Sequence, residues 1–296
     1  MRLVVGYLAT PSGADGLALG VQLARSLGAE LDICMVLPPD RPVPSRVPAE
    51  PGYEDVLAGT GEAWLAQAAA TVPDDVRAHT HLSFHESFAQ GLLDEVARLG
   101  ARAVVLGAAG DGLLGRHSIG TVSSELLHSA PVPLALAPRG FRHSAAPRVR
   151  EVTCALGTRT GADVLLRTAV RACERMRTPL RLASLVALDP HGLGRDVRKS
   201  HELALESARA HARTLLDTAR AELPGDYPVR SLVADGDTVE SAVAKLEWHD
   251  GDVVMVGSSR LAQPHRLFLG STAAKMLRVV PVPMIVVPKH EFENSE

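Results

Sequence analysis

"ARAVVLGAAGDGLLGRHSIGTVSSELLHSAPVPLALAP", residues 101–138, decides the fold because the chain writes it twice. Residues 251–288 read "GDVVMVGSSRLAQPHRLFLGSTAAKMLRVVPVPMIVVP" and align with it without a gap. Identities fall at Gly107 and Gly257, Arg116 and Arg266, Gly120 and Gly270, Leu127 and Leu277, and at the prolines of both "PVP" segments. Upstream, "GAD" at 13–15 returns at 161–163 with a slightly different offset, so small insertions separate the halves. A repeat of this length is a duplicated domain rather than a solenoid, whose period runs about 20–50 residues. The polar seam "RGFRHSAAPR" carries no apolar period. The expected division is therefore a first domain over 1–139, a linker over 140–149 and a second domain over 150–289.

Within the repeat, the apolar run "AVVLG" reads as a buried strand, "TVSSELLHS" as a helix and "VPLALA" as a last strand. The rest of the first half continues the alternation. "LVVGYL", "ELDICMVL" and "VRAHTHL" read as strands, and "DVLAGTGEAWLAQAAA" and "SFAQGLLDEVARL" as helices. Leu17, Val21 and Ala24 recur at helical spacing. In the second half Leu205, Ala208, Ala212, Leu215, Ala219 and Leu223 form one apolar stripe, with Glu202, Glu206, Arg209, Arg213 and Asp217 on the solvated face. Strands alternating with helices predict an α/β class: two tandem flavodoxin-like (Rossmann-like) domains, each a five-stranded parallel sheet covered by helices on both faces. In such sheets ligands lie beyond the carboxyl ends of the strands. The last strands, "PVPLALAP" and "PVPMIVVP", are apolar edges that invite pairing. They predict that the two halves pack as a pseudo-dimer.

Composition removes several classes. The net charge of −3 and the 3 % aromatic content leave neither the basic patch nor the stacking aromatics of a nucleic-acid binder. The apolar stretch near the C-terminus holds three prolines and does not suit membrane insertion. Three scattered cysteines, Cys34, Cys154 and Cys173, lack metal-type spacing and fit a reducing cytoplasm. Cys34 and Cys154 fall in apolar strands and read as core. His79, His81 and His85 could gather a metal, but the second half has no counterpart, and polar residues on an edge strand account for them. "GDGLLG", 110–115, fits the dinucleotide pattern only formally, since it follows a fourth strand rather than a first. No GxSxG, HExxH or lysine-bearing phosphate loop occurs, and no catalytic residue is assigned.

The five glycines of 107–121 need another explanation. Gly107 directly follows the strand, and Gly120-Thr121 directly precede the helix. A helix N-terminus offers backbone N–H groups and a partial positive charge, and a glycine loop before it lets more N–H groups converge on a phosphate. The Thr121 hydroxyl suits either phosphate or helix capping.

Gly107-x2-Gly110-x9-Gly120-Thr121 resembles the nucleotide-binding signature of universal stress proteins, and the resemblance covers the whole chain as two tandem domains. It implies that adenine rests between strands one, two and four beside Val36, with phosphates on Gly110, Gly120 and Thr121. Arg116 is a candidate for neutralising phosphate. The implied cofactor is ATP, or AMP or ADP, with Mg2+ as an optional companion. The implied role is a stress-response nucleotide-binding and sensing module, not an enzyme. A non-nucleotide dimerising scaffold is the alternative, and the chain itself is a candidate homo-dimer. Two departures stand out. Many members carry an acid after the first strand, whereas Leu8 occupies that place in "GYLATPSG" and the second half reads "CALGTRTG". The second loop keeps Gly257, Gly270 and Ser271 but places Arg260 where the second glycine belongs. The sequence therefore ranks the first half as the better nucleotide site.

Overall fold

The computed structural model describes residues 1–39, 53–107, 121–157, 161–187, 195–221, 227–258 and 269–289, with Leu223 and Leu267. The first half runs β1 (Arg2–Gly6), α1 (Pro11–Leu27), β2 (Glu30–Leu37), α2 (Tyr53–Ala70), β3 (Ala78–Phe84), α3 (Phe88–Leu99), β4 (Ala103–Gly107), α4 (Thr121–Ser129) and β5 (Leu134–Ala137). A short 3-10 turn over Phe141–His143 leads to the second half. There follow β6 (Glu151–Ala155), α5 (Ala162–Met176), β7 (Leu180–Ala187), α6 (Arg195–Ala221), β8 (Val229–Gly236), α7 (Val239–Ala244), β9 (Asp252–Gly257), α8 (Ser271–Val279) and β10 (Met284–Val287).

All ten strands join one sheet in the order β3-β2-β1-β4-β5-β10-β9-β6-β7-β8. Within each half every pairing is parallel; β5 and β10 pair antiparallel, with Ala135 opposite Ile285. The expected pseudo-dimer is thus a fusion of two sheets through their last strands. The α/β class holds. In strand order each half follows 3-2-1-4-5, as in the first five strands of the Rossmann sheet, rather than the 2-1-3-4-5 of flavodoxin, so the switch point lies between β1 and β4, and between β6 and β9.

Two apolar layers sandwich the sheet. One joins it to α1, α2, α5 and α6, the other to α3, α4, α7 and α8. The inner strands are apolar on both sides because both faces are covered. Val4, Val5, Val104 and Val105 are fully buried, each contributing about 1.5–3 kcal/mol. Local signals fix the helix ends. Thr10 caps α1 by accepting from Gly13 N–H, with Pro11 in the first turn, and Gly28 ends it at φ +61°. Ser87 caps α3 in the same way. On α6, Ala212, Leu215 and Ala219 of the predicted stripe face inward, joined by Leu216 at 2 % exposure, and Leu223 packs on the core beyond the helix end.

Buried polar pairs tie the strands together. Asp32, fully buried on β2, accepts two hydrogen bonds from the Arg2 guanidinium, at 2.8 and 2.7 Å, and lies 2.7 Å from His81 Nε2. The second half carries the same arrangement with the charges exchanged. Glu151 stands at the position of Arg2, and Arg181 at that of Asp32. Arg181 Nε sits 3.5 Å from the Glu151 carboxylate and donates to Thr153 Oγ1 at 2.8 Å, while its guanidinium lies 4.7 Å from the Trp248 ring centroid. Arg230 on β8 completes the pair to Glu151. The histidines on and just after edge strand β3 are engaged likewise: His81 with Asp32 and Arg98, His79 near Glu30, and His85 with Ser87.

The segment between the halves is not a slack tether. Asp15, 2 % exposed on α1, accepts from Gly140 N–H, Arg142 N–H and the Arg142 guanidinium. Asp250 receives the Ser144 hydroxyl and the N–H groups of Ala145 and Ala146. Phe141 is buried in the core.

Candidate functional site

At the carboxyl end of the second half, β6, β7 and β9 open into a cavity of about 380 Å3. That size lies within the range of small-molecule sites, about 300–1,000 Å3. It sits at the switch point, where β6 and β9 are neighbours and their helices depart in opposite directions. Leu185 and Val186 of β7 give it an apolar wall, and Leu156 and Gly157 after β6 form another side. Gly257 and Ser258 close β9, while Gly270, Thr272 and Met276 bring in the start of α8. His211 of α6 stands at the rim.

The electrostatics of this cavity favour an anion. The N-termini of α5, at Gly161-Ala162, and of α8, at Gly270, both border it. Neither N-cap residue makes a side-chain capping bond, so the first N–H groups are not occupied from that source. Two helix N-termini converging on one cavity add their partial positive charges there. Among the described residues, the atom nearest a Cβ on Gly257 belongs to Leu165, at 3.7 Å.

The matching point of the first half is built differently. A Cβ on Gly107 would overlap the carbonyl oxygen of Ser12, and one on Gly16 would stand 2.6 Å from Gly107 N. The start of α1 therefore presses on the end of β4. The sequence cause is Gly16 on α1, which lets the two backbones approach. On α5 the register of the strands and the matching left-handed helix ends at Gly28 and Arg177 place Leu165 there, and its side chain stands nearest Gly257. Helix α1 also begins at Pro11, two residues earlier relative to the repeat than α5.

Of the predicted residues, Gly257 and Gly270 come together at the cavity, and Ser271 opens α8 beside them. Gly107 ends β4 and Thr121 opens α4. Val36 is 3 % exposed at the end of β2, where its methyls pack on Gly91 of α3. Gly110, Arg116, Gly120 and Arg260 lie outside the described residues. The loop residues on which the ranking of the two halves rests lie outside the described residues. Sequence reading missed Thr272, Ser184 and His211. His211 carried a signal, since it interrupts the apolar face of α6 between Ala208 and Ala212.

The three thiols are core groups. Cys34, Cys154 and Cys173 are buried and free, and burial raises all three above the ordinary thiol range, Cys173 to about 12. No helix among the described residues is long and apolar enough to cross a membrane.

Comparison with known proteins agrees with this architecture. The model of the universal stress protein family matches residues 1–138 and again 149–288. Universal stress proteins of Mycobacterium tuberculosis and Mycobacterium bovis are 30 % identical over 295 residues, covering 97 % of this chain and all of theirs. A universal stress protein structure from Archaeoglobus fulgidus superposes over 98 % of both chains, with a TM-score of 0.65 at 16 % identity. A functionally unknown protein from Pseudomonas aeruginosa covers 97 % of this chain and 92 % of its own, with a TM-score of 0.57 at 17 % identity. The chain belongs to the universal stress protein family, as a tandem of two such domains.

Proposed function

We propose that this chain binds an adenine nucleotide, AMP, ADP or ATP, in the crevice of its second domain, and acts as a sensing module without turnover. The observation that carries the reading is the cavity of about 380 Å3 at the switch point, with the N-termini of α5 and α8 both bordering it. The apolar wall of Leu185 and Val186 suits a base, while the start of α8, at Gly270 and Thr272, suits phosphate. Mg2+ would accompany a triphosphate. No general base or nucleophile is placed at this cavity by any motif in the chain, which supports binding without hydrolysis.

Titration calorimetry with AMP, ADP and ATP on wild type, Thr272→Glu and Val122→Glu tests it. A carboxylate in the first turn of a helix favours the helix and repels phosphate, so folding is spared while the site is lost. One site per chain is expected, abolished by Thr272→Glu and kept by Val122→Glu, its counterpart on α4. Binding lost only in Val122→Glu would put the nucleotide in the first half. No binding by wild type would favour the dimerising scaffold.

A further inference from the structure

Helices α2 and α6 cover equivalent strands, but the residues beneath them differ in bulk. The strand registers match Met35 with Ser184, Leu37 with Val186 and Leu82 with Val233. Counting back from β3 and β8 matches Gly61 with Ala212 and Leu57 with Ala208. In the first half these side chains converge: a Cβ on Gly61 would meet Leu82 at 3.0 Å, Leu37 at 3.1 Å and the Met35 sulfur at 3.5 Å. In the second half four of the five places carry a smaller side chain, and the fifth gains a single carbon. Protein interiors are close-packed, so bulk lost at four neighbouring places leaves room. That room is the α6 side of the cavity of about 380 Å3, where Ser184, Val186, Ala208 and Ala212 line it.

Ser184 points to the same face of β7 as Leu180 and Leu182, toward α5 and α6. It is 5 % exposed, and its hydroxyl has no hydrogen-bond partner among the described residues. A buried hydroxyl without a partner is costly, whereas the methionine at the matching place is not. A ligand that supplies the partner removes that cost. The surroundings, Val186, Ala212 and Leu215, are apolar. The part of a ligand that fits is therefore a flat apolar body with a polar edge. A purine base has two apolar faces and ring nitrogens around its rim. A sugar or phosphate would leave several polar groups unpaired against this wall.

Resting on the nucleotide reading, we infer that the purine base seats beneath α6 with its edge hydrogen-bonded to the Ser184 hydroxyl, while the phosphate stays at the start of α8. Ser184 and Ala208 then select a base-bearing ligand, and Met35 and Leu57 close the same seat in the first half. Titration calorimetry of the full chain with AMP, and with ribose 5-phosphate as the base-free probe, tests it. Wild type is expected to bind AMP about tenfold or more tighter than ribose 5-phosphate, the worth of burying the base. Ser184→Met and Ala208→Leu restore the first half's residues and should bring that ratio close to one; circular dichroism and melting identify whichever variant keeps the fold. Ser184→Ala keeps the room but loses the hydroxyl, and should weaken AMP by about threefold to tenfold. Equal affinity of wild type for both probes, an unchanged ratio in a folded Ser184→Met or Ala208→Leu, or AMP bound by Ser184→Ala as by wild type would each overturn the base seat alone. Wild type binding neither probe would overturn the nucleotide reading and the base seat together.

Discussion

Replacing Gly16 by alanine sets two known effects against each other. In a helix interior alanine is favoured over glycine by about 0.5–1 kcal/mol. At Gly16 the added Cβ would lie 2.6 Å from the backbone nitrogen of Gly107, with the Leu106 carbonyl carbon at 3.0 Å. Neither atom belongs to a flexible side chain. Both sit at the end of β4, held in register by β5, where Gly107 faces Ala137. Helix α1 must therefore lift, and overpacking of this kind costs about 1–3 kcal/mol. The steric cost wins, and Gly16→Ala should lose about 1 kcal/mol net, lowering the melting temperature by about 2–4 °C. Gly59→Ala is the control, because that helical glycine on α2 has nothing among the described residues within 4 Å of its added Cβ. It should gain about 0.5–1 kcal/mol. Urea unfolding followed by circular dichroism on both variants decides. Equal gains at the two positions would refute the close approach of α1 to β4 and, with it, the physical contrast between the crevices.

Three further outcomes follow from paired carboxylates and buried thiols. Arg2→Ala strips buried Asp32 of its bidentate partner and should cost about 3 kcal/mol, whereas the double variant Arg2→Met, Asp32→Leu should lose much less; a double-mutant cycle by denaturant unfolding checks this. Burial alone would raise the Asp250 carboxyl, but hydrogen bonds from Ser144, Ala145 and Ala146 outweigh it and hold the folded value below the ordinary 3.8. Its stabilising contribution is thus complete above the unfolded value and is lost as pH falls through the folded one, so the acid-side decline in melting temperature should be shallower in Asp250→Asn. Finally, a thiol reagent at pH 8 should label none of the three cysteines in the native chain and all three in denaturant, since burial suppresses each thiolate; labelling of native Cys173 would contradict the packing around it.

Much of the fold was legible because its signals are local. "ELDICMVL", "AVVLG" and "TVSSELLHS" coincide with β2, β4 and α4 residue for residue. "LVVGYL" ran past the strand's end: β1 stops at Gly6, and Leu8 is 43 % exposed in the turn before α1. "VRAHTHL" began two residues before β3, an edge strand whose polar alternation gives a weak boundary. The repeat exposed the duplication, and the apolar last strands exposed their pairing. The seating of the first helix of each half was not legible from the loops. It is set by Gly16 on α1 against Leu165 on α5, on helices whose distance from β4 and β9 no loop motif encodes. Glycines in a helix read as a propensity cost until the neighbouring strand is known.

The exchanged ion pairs show how two copies of one domain can diverge without losing their sheet. Arg2 with Asp32, and Glu151 with Arg181, occupy the same places with opposite polarity. A single replacement at either place would leave two like charges buried together, which costs several kcal/mol. Each half therefore passed through a compensated change, or through a neutral step, and kept its own pairing. What makes the halves separately variable is the antiparallel β5–β10 junction. It joins them through backbone hydrogen bonds and small apolar contacts at Ala135 and Ile285, so no side-chain identity needs to match across the seam. Freed from matching, α1 carries Gly16, which seats it on β4, while α5 carries Leu165 at that place. A true homodimer places identical residues on both sides of its axis. Fusing the two domains in one chain removes that constraint, so the polarity of Arg2 with Asp32 could reverse at Glu151 with Arg181 in one half alone.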